Sequence, residues 1–246
     1  LLDPALDPVA AYDRIAGSFA RLSEARRPYL EAVERLIVSA VPPGASSLLD
    51  IGAGDGRRAI RIAQTAGLKH VVLLDPSAEM RRNWPAGVTA WPMRAEDLHA
   101  QTGQYDIITC LWNVLGHIFP ANARSEVLRQ CARLLAPGGR ILVDVSHRYN
   151  ARHYGVWPTA WRCLRGGSGD VTVTWRPEGI ATAGHVFTHR EFAGLCRASG
   201  VAIERRFVLD YATGALRRWS WQGHLLYVLR HGSDFSGGNA GEKRQG

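Results

Sequence analysis

A chain of 246 residues, 46% hydrophobic and 21% charged, has room for one α/β domain with additions, and no apolar run reaches the roughly 18 residues that a membrane span needs. The formal net charge of +8 rests on arginine, since only Lys69 and Lys243 are lysines; the arginines are scattered, which favours a solvated basic surface over a dense nucleic-acid footprint. Cys110, Cys131, Cys163 and Cys196 are widely spaced with no C-x-x-C pair, which argues against a zinc site and a disulfide framework and suits a reducing cytoplasm.

No signal-peptide pattern is present, and the chain opens on Leu1 instead of Met, so residues upstream are an open expectation. Pro4 and Pro8 make 1–9 a loose lead-in. From Ala11, Tyr12, Ile15, Phe19 and Leu22 fall at helical spacing. Pro28 suits the first residue of a second helix, which carries Tyr29, Leu30, Val33, Leu36 and Ile37 and stops before Pro42, Pro43 and Gly44. Leu48, Leu49 and Ile51 then read as a buried parallel strand that breaks into Gly52, Gly54 and Gly56 ahead of a helix over Arg57 to Thr65. Strand, glycine turn and helix together make a cradle for a polar ligand, because glycine lets backbone lie against it and the helix start offers free N–H groups. A nicotinamide fingerprint would want glycine at Arg57, so that match is poor.

With Asp50 two residues before Gly52, LLDIGAGDGRRAI carries the D-x-G-x-G signature and resembles the first motif of the class I S-adenosylmethionine (SAM) dependent methyltransferases. The resemblance implies a doubly wound α/β fold: a mostly parallel seven-stranded sheet with an antiparallel last strand, an N-terminal helical lid and a small β-hairpin cap after strand five. It implies SAM as cofactor, its amino-acid end beside Gly52, Ala53 and Gly54, with the Asp50 carboxylate facing a cationic ligand. Tyr12, in a Y-D-x-x-A-like segment, becomes a candidate cofactor contact, with an aromatic packed in the core as the other reading.

His70 to Leu74 is the second parallel strand, ending in Asp75, with Pro76 and Ser77 opening a helix that holds Met80. A carboxylate there offers two acceptor oxygens to the two hydroxyls of a ribose, which makes Asp75, with Pro76 and Met80, a cofactor contact. Val88 to Trp91 is a short third strand. Where the family often has an adenine-binding aspartate this chain has Arg94, which leaves Ala95, Glu96 or Asp97 for the adenine. Tyr105 to Cys110 is the fourth strand; Leu111, Trp112 and Asn113 follow it at the ligand-bearing edge, and His117 adds a group that titrates near neutrality. The sequence Trp112-Asn113-Val114-Leu115 lacks the D/N-P-P-Y/F pattern of nucleobase amino methyltransferases.

Ala123 to Leu135 is a helix, and Pro137-Gly138-Gly139 resembles the family's turn into a fifth strand, Ile141 to Val145. His147, Arg148, Tyr149 and Asn150 leave that strand and are read, together with His117, as acceptor-binding, with His117, His147 and Tyr149 as catalytic candidates; a plain surface loop is the alternative for 147–150. Arg152 to Gly169 shows no clear period. Val171 to Arg176 and Ile180 to Phe187 form a hairpin across Pro177-Glu178-Gly179, where His185 is a further pocket candidate. Thr188 and Glu191 cap a helix to Ser199, and Val201 to Tyr211 and Gly223 to Arg230 are strands six and seven. The expected organisation is a lid over 1–43, a SAM-binding domain over 44–231 with its cap at about 146–187, and a flexible tail over 232–246.

The expected activity is methyl transfer from SAM to a nitrogen or oxygen of a small molecule, without a metal. The protein is expected to be a cytoplasmic monomer or homodimer with no membrane partner. An RNA methyltransferase and a non-catalytic SAM-binding regulator are the competing readings, with a nicotinamide oxidoreductase third. Aromatics at Tyr149, Tyr154, Trp157, Trp161 and Trp175 point to a partly apolar or cationic acceptor.

Overall fold

The computed structural model describes residues 4–175 and 178–235. Its strands are β1 (Ser47–Ile51), β2 (His70–Leu74), β3 (Thr89–Trp91), β4 (Tyr105–Cys110), β5 (Leu135–Val145), β6 (Asp170–Trp175), β7 (Ile180–His185), β8 (Val201–Leu209) and β9 (His224–His231). Seven of them form one sheet in the order β3-β2-β1-β4-β5-β9-β8, while β6 and β7 pair separately. Strands β1 to β5 pair in parallel, and β9 runs antiparallel to both β5 and β8. The order reverses between β1 and β4, which opens a crevice beyond the carboxyl ends of the strands.

The helices are α1 (Pro8–Ile15), α2 (Phe19–Glu24), α3 (Arg27–Ala40), α4 (Arg57–Ala66), α5 (Ala78–Arg81), α6 (Ala121–Leu134), α7 (Ala151–Tyr154), α8 (Val156–Arg165) and α9 (His189–Ala198). Both sheet faces are covered. Leu48, Leu73, Ile107 and Leu142 pack with Val33, Ile37 and Ile62 of α3 and α4, while Leu49, Ile108, Ile141 and Val143 pack with Val127, Leu128 and Phe192 of α6 and α9. Adjacent strand residues fall in opposite clusters, which is why the parallel strands read as unbroken apolar runs. The expected capping box is present: the Glu191 N–H donates to Thr188 Oγ1 at 3.1 Å and the Thr188 N–H to Glu191 Oε2 at 3.3 Å.

Several sequence expectations need correction. The lead-in is structured from Pro4, in a 3-10 turn, and Pro8 already sits in α1. The helix expected from Ala11 to Leu22 is interrupted by a 3-10 turn at Ala16–Ser18, where Gly17 weakens the ladder. Pro28 is the second residue of α3, not the first. Strand β5 begins at Leu135, and 136–139 bulge opposite Asp106 between the pairs Tyr105–Leu135 and Ile107–Arg140. The region without a clear period holds α7 and α8. Gly232–Phe235 form a 3-10 turn, and the rest of the expected tail, like the hairpin turn at Arg176 and Pro177, lies outside the described residues.

Candidate functional site

A cavity of about 420 Å³ opens over the tips of β1, β2 and β4, beneath α1 and α2. Its floor is the glycine turn. Gly52, Gly54 and Gly56 all have positive φ, and a Cβ on Gly52 would sit 2.5 Å from Val114 Cγ2, so this bend excludes larger residues on two counts. At one end lie Asp75, Pro76, Arg94, Ala95 and Glu96; at the other lie Tyr12, Phe19, Leu111, Trp112, Val114 and His117.

Asp75 is fixed by backbone. Its Oδ2 accepts from the Gly54 N–H at 2.8 Å and its Oδ1 from the Ser77 N–H at 2.9 Å. Burial nevertheless pushes its carboxyl up to about 6, against the lowering effect of those two bonds. Helix α1 is tied to this end twice. Asp13 accepts from the Ser77 hydroxyl at 2.5 Å and from the Glu79 N–H, and Asp7, the N-cap of α1, accepts from Arg94 at 3.2 Å. Arg94, where the family often has an aspartate, thus joins the rim at Ala95 and Glu96 to the first helix. Burial also raises the carboxyl of Glu96.

At the opposite end His117 Nδ1 lies 2.9 Å from the Ala183 carbonyl oxygen of β7, a pure acceptor, so Nδ1 carries the proton and Nε2 holds a lone pair. The Tyr12 hydroxyl donates to that Nε2 at 3.3 Å. Burial lowers the pKa of His117 and raises that of Tyr12, so both are neutral at pH 7. Tyr12 stands edge-on to His117, Phe19 and Trp175, and Trp175 in turn meets Trp112 at 6.2 Å between centroids. Trp112 and Asn113 both have positive φ, and Trp112 is held by an N–H bond to Asp144 Oδ2 and an indole bond to the Tyr211 hydroxyl.

Arg58, on the first turn of α4, also lines the cavity. Among the described residues its Nε has no hydrogen-bond partner, and its charge lowers the pKa values of the buried Asp50 and Asp144, which burial otherwise raises.

Residues 21–205 match the family model described as a methyltransferase domain. The chain belongs to this methyltransferase family. A glycine/sarcosine N-methyltransferase of Halorhodospira halochloris is 30% identical over 128 residues, 45% of this chain and 46% of that protein. This methyltransferase therefore spans less than half of that relative. A ubiquinone biosynthesis O-methyltransferase of Ralstonia nicotianae is 27% identical over 181 residues, 71% of each chain. In fold, the protein is similar to a SAM-dependent methyltransferase from Thermotoga maritima, with a TM-score of 0.63 and 15% identity over 91% of this chain and 99% of that one.

Of the residues singled out from sequence, the methyltransferase brings Tyr12, Gly52, Ala53, Gly54, Asp75, Pro76, Ala95, Glu96, Leu111, Trp112 and His117 onto one cavity. Others lie elsewhere. Asp50 is buried beneath the floor, bonded through Oδ1 to the Thr109 hydroxyl at 2.6 Å, with Oδ2 unpartnered. Met80 is buried among Ala11, Ile15, Phe19 and Ile180, and Asp97 points to solvent. Asn113 is engaged at both ends of its amide: Oδ1 accepts from the Ser146 N–H and Nδ2 donates to the His185 carbonyl.

Of the residues read as acceptor-binding, His117 lines the cavity and His147, Arg148, Tyr149 and Asn150 do not. His147 pairs with Phe187 in an isolated parallel bridge, and the Phe187 N–H to Ser146 and Arg148 N–H to Phe187 bonds hold this segment against Phe187, outside the cavity lining. Burial pushes His147 down to about 4. Arg148 is spent on the carbonyls of Gly167 and Ser168 and on Glu191. Tyr149 packs edge-on to His147, and Asn150 caps α7 beside a second depression lined by Arg152, His153, Tyr211 and Gln222. His185 is clamped between Asp170 and Glu191, each at 2.6 Å. Sequence reasoning missed Phe19, Arg58, Arg94 and Val114; for Phe19 and Val114 the only signal was apolar character, which equally describes core.

Proposed function

We propose that the protein transfers the methyl group of SAM to a nitrogen or oxygen atom of a small molecule docked at the aromatic end of the cavity. One observation carries this reading: a diol-matched carboxylate, Asp75, and an imidazole lone pair, His117 Nε2, face opposite ends of one cavity. The residues suit SAM chemically. Each Asp75 oxygen has accepted one backbone bond and keeps a lone pair for a ribose hydroxyl. Arg58, with its unpartnered Nε, suits the carboxylate of the amino-acid end, and Ala95 and Glu96 border the place for the adenine. Asp50, lying beneath the floor, would act on the amino-acid end through its field.

SAM supplies an electrophilic methyl group on a sulfonium, so what remains for the protein is orientation, exclusion of water and proton removal. Tyr12, Phe19 and Trp112 form apolar walls around the acceptor end. The Ala183 carbonyl fixes the tautomer of His117. An acceptor O–H or N–H that takes the place of the Tyr12 hydroxyl at Nε2 would lose its proton there as its heteroatom bonds to the methyl carbon and the S–CH3 bond breaks. One relative is named for N-methylation and another for O-methylation, and the neutral imidazole serves either acceptor.

The test is a screen of small amines and phenols with methyl-labelled SAM. Labelled product formed by the wild type and slowed at least tenfold by His117→Ala supports the reading. S-adenosylhomocysteine binding without transfer to any acceptor would favour the regulator, and transfer only to RNA with a steep salt dependence would favour the nucleic-acid enzyme.

A further inference from the structure

Among the described residues, the exposed large hydrophobic side chains fall in two segments. Val156, Trp157, Trp161 and Leu164 stand on α8, with Trp157 85% and Leu164 84% exposed, and Leu216, Trp219 and Trp221 stand on the loop before β9. Helix α7 packs against both α8 and the Ser220–Gln222 turn, so the two segments flank one side of the molecule. Helix α8 is amphipathic in an inverted sense: it seats on the body through buried Thr159 and half-buried Arg162 and turns its tryptophans and leucine outward. An apolar patch of this kind in a folded domain marks an interaction surface.

The charge around the patch says what covers it. Neither 146–169 nor 211–231 contains a single aspartate or glutamate, while the two stretches hold seven arginines, at 148, 152, 162, 165, 217, 218 and 230, of which Arg148, Arg152 and Arg217 pair with Glu191 or Asp210. Arg162, Arg165 and Arg218 lie over the rings of Tyr154, Trp161 and Trp219, and none of the three has a carboxylate within ion-pair distance among the described residues. A second copy of the chain fits poorly, because a two-fold contact would set these arginines against themselves with no acid in either stretch to pair them. Nucleic acid would use the tryptophans and arginines, yet it gives the aliphatic Val156, Leu164 and Leu216 nothing to stack on. An anionic bilayer surface uses all of them: indoles at the headgroup level, aliphatic side chains below, guanidinium groups at lipid phosphates.

We propose that α8 and the 216–221 loop form a face that seats this protein on an anionic lipid surface. No helix of the described residues is long and apolar enough to cross a membrane, so the association is peripheral and reversible. The face is separate from the cavity over the strand tips, and the proposal stands independently of the acceptor's identity.

Flotation of the full chain with phosphatidylcholine vesicles holding about 30 mol% phosphatidylglycerol, against pure phosphatidylcholine, tests it. Expected are binding to the anionic vesicles alone, a blue shift of tryptophan emission on binding, and release at about 0.5 M salt. Trp157→Ser with Leu164→Ser should reduce partitioning at least tenfold, and Arg165→Glu at least about fivefold, while calorimetric binding of S-adenosylhomocysteine stays at the wild-type value. The exposure of these side chains leaves the fold intact, which thermal melting of each variant checks. The proposal is overturned if wild type ignores both vesicle types, if partitioning is unchanged in the double variant, or if the same variants abolish binding of a single-stranded oligonucleotide or a dimer seen in sedimentation while vesicle binding is absent throughout.

Discussion

The backbone N–H of Gly54 donates to Asp75 Oδ2 at 2.8 Å, so the glycine turn after β1 and the acid after β2 are one unit. Asp75 is buried and its carboxyl pushed up to about 6 by that burial, and a ribose diol donating to both oxygens would favour the ionised form. Free protein must then give up a proton to bind SAM below pH 6. Affinity for S-adenosylhomocysteine is expected to hold steady above about pH 7 and to fall up to tenfold per pH unit below 6. Asp75→Asn should weaken binding by roughly 1.5 to 3 kcal/mol at pH 7.5 and flatten that dependence. Calorimetry across pH 5 to pH 8 reads both, and an unchanged affinity in the variant would remove the ribose from this position.

His117 and Tyr12 make a separate prediction because they meet at the other end of the cavity. With Nδ1–H bound to Ala183 and a pKa lowered by burial, His117 is in its base form at neutral pH, so turnover should fall only once the pH drops below the ordinary imidazole range. His117→Ala should lower kcat by about 10²-fold or more for a hydroxyl or ammonium acceptor. Tyr12→Phe, which frees Nε2 but keeps the ring, should leave kcat within severalfold and change the KM for the acceptor. Equal losses of kcat in both variants would instead assign Tyr12 a direct part in the chemistry.

The sheet was legible because parallel strands buried on both faces read as apolar runs, and the cavity floor with Asp75 because glycines and an acid at a fixed spacing have few other uses. The segment after β5 was misread for a physical reason. His147 to Asn150 are polar and follow a strand tip, which is where ligands sit, but composition does not encode what such groups bond to, and the bridge between His147 and Phe187 and the bonds of Arg148 to the Gly167 and Ser168 carbonyls hold them outside the cavity lining. Helix α8 was invisible to periodicity because its apolar residues face solvent while its seat is a threonine. Arg94 looked like a defect in an adenine motif until Asp7, 87 positions earlier, was seen beside it.

The Arg148 side chain gives a direct check on that placement. It binds the carbonyls of Gly167 and Ser168 and the Glu191 carboxylate, far from the cavity lining. Arg148→Met should cost about 1.5 to 3 kcal/mol in urea unfolding, the range for bonds to a charged donor, and leave the acceptor KM and S-adenosylhomocysteine affinity unchanged. A raised acceptor KM in a stably folded variant would return Arg148 to the acceptor site.

Gly52 tests the floor. Its φ of 69° puts an alanine in the left-handed region, and the added Cβ would lie 2.5 and 2.6 Å from the two Val114 methyl carbons. Gly52→Ala should destabilise the protein by about 2 to 4 kcal/mol, the backbone and the overpacking each contributing. Trimming the neighbour in Gly52→Ala/Val114→Ala should recover the steric part and leave the backbone part, so a double variant no more stable than the single one would place the whole cost in the backbone.

Acid stability follows from the imidazoles packed between β5, α7 and β9. The His147 N–H donates to His224 Nδ1 at 3.0 Å, and His153 lies edge-on to His224. Burial lowers all three, His147 to about 4 and His224 well below the ordinary imidazole value. Unfolded histidine titrates near 6.5, so between pH 6.5 and pH 4 the unfolded chain binds more protons than the folded one, and stability is lost as pH falls through that window. His147 alone accounts for on the order of 3 kcal/mol by pH 4. Asp75 works in the opposite sense, since its raised carboxyl is relieved by protonation below about 6, and the raised carboxyls of Asp50, Glu96 and Asp144 act with it, but the imidazoles of His117 and His189, which burial also lowers, add to the three here. Urea midpoints should therefore drop steeply between pH 6.5 and pH 4.5, and His147→Asn should shallow that slope while leaving S-adenosylhomocysteine binding at pH 7.5 intact. A midpoint that stays level across the window would mean these imidazoles take up protons within the folded protein.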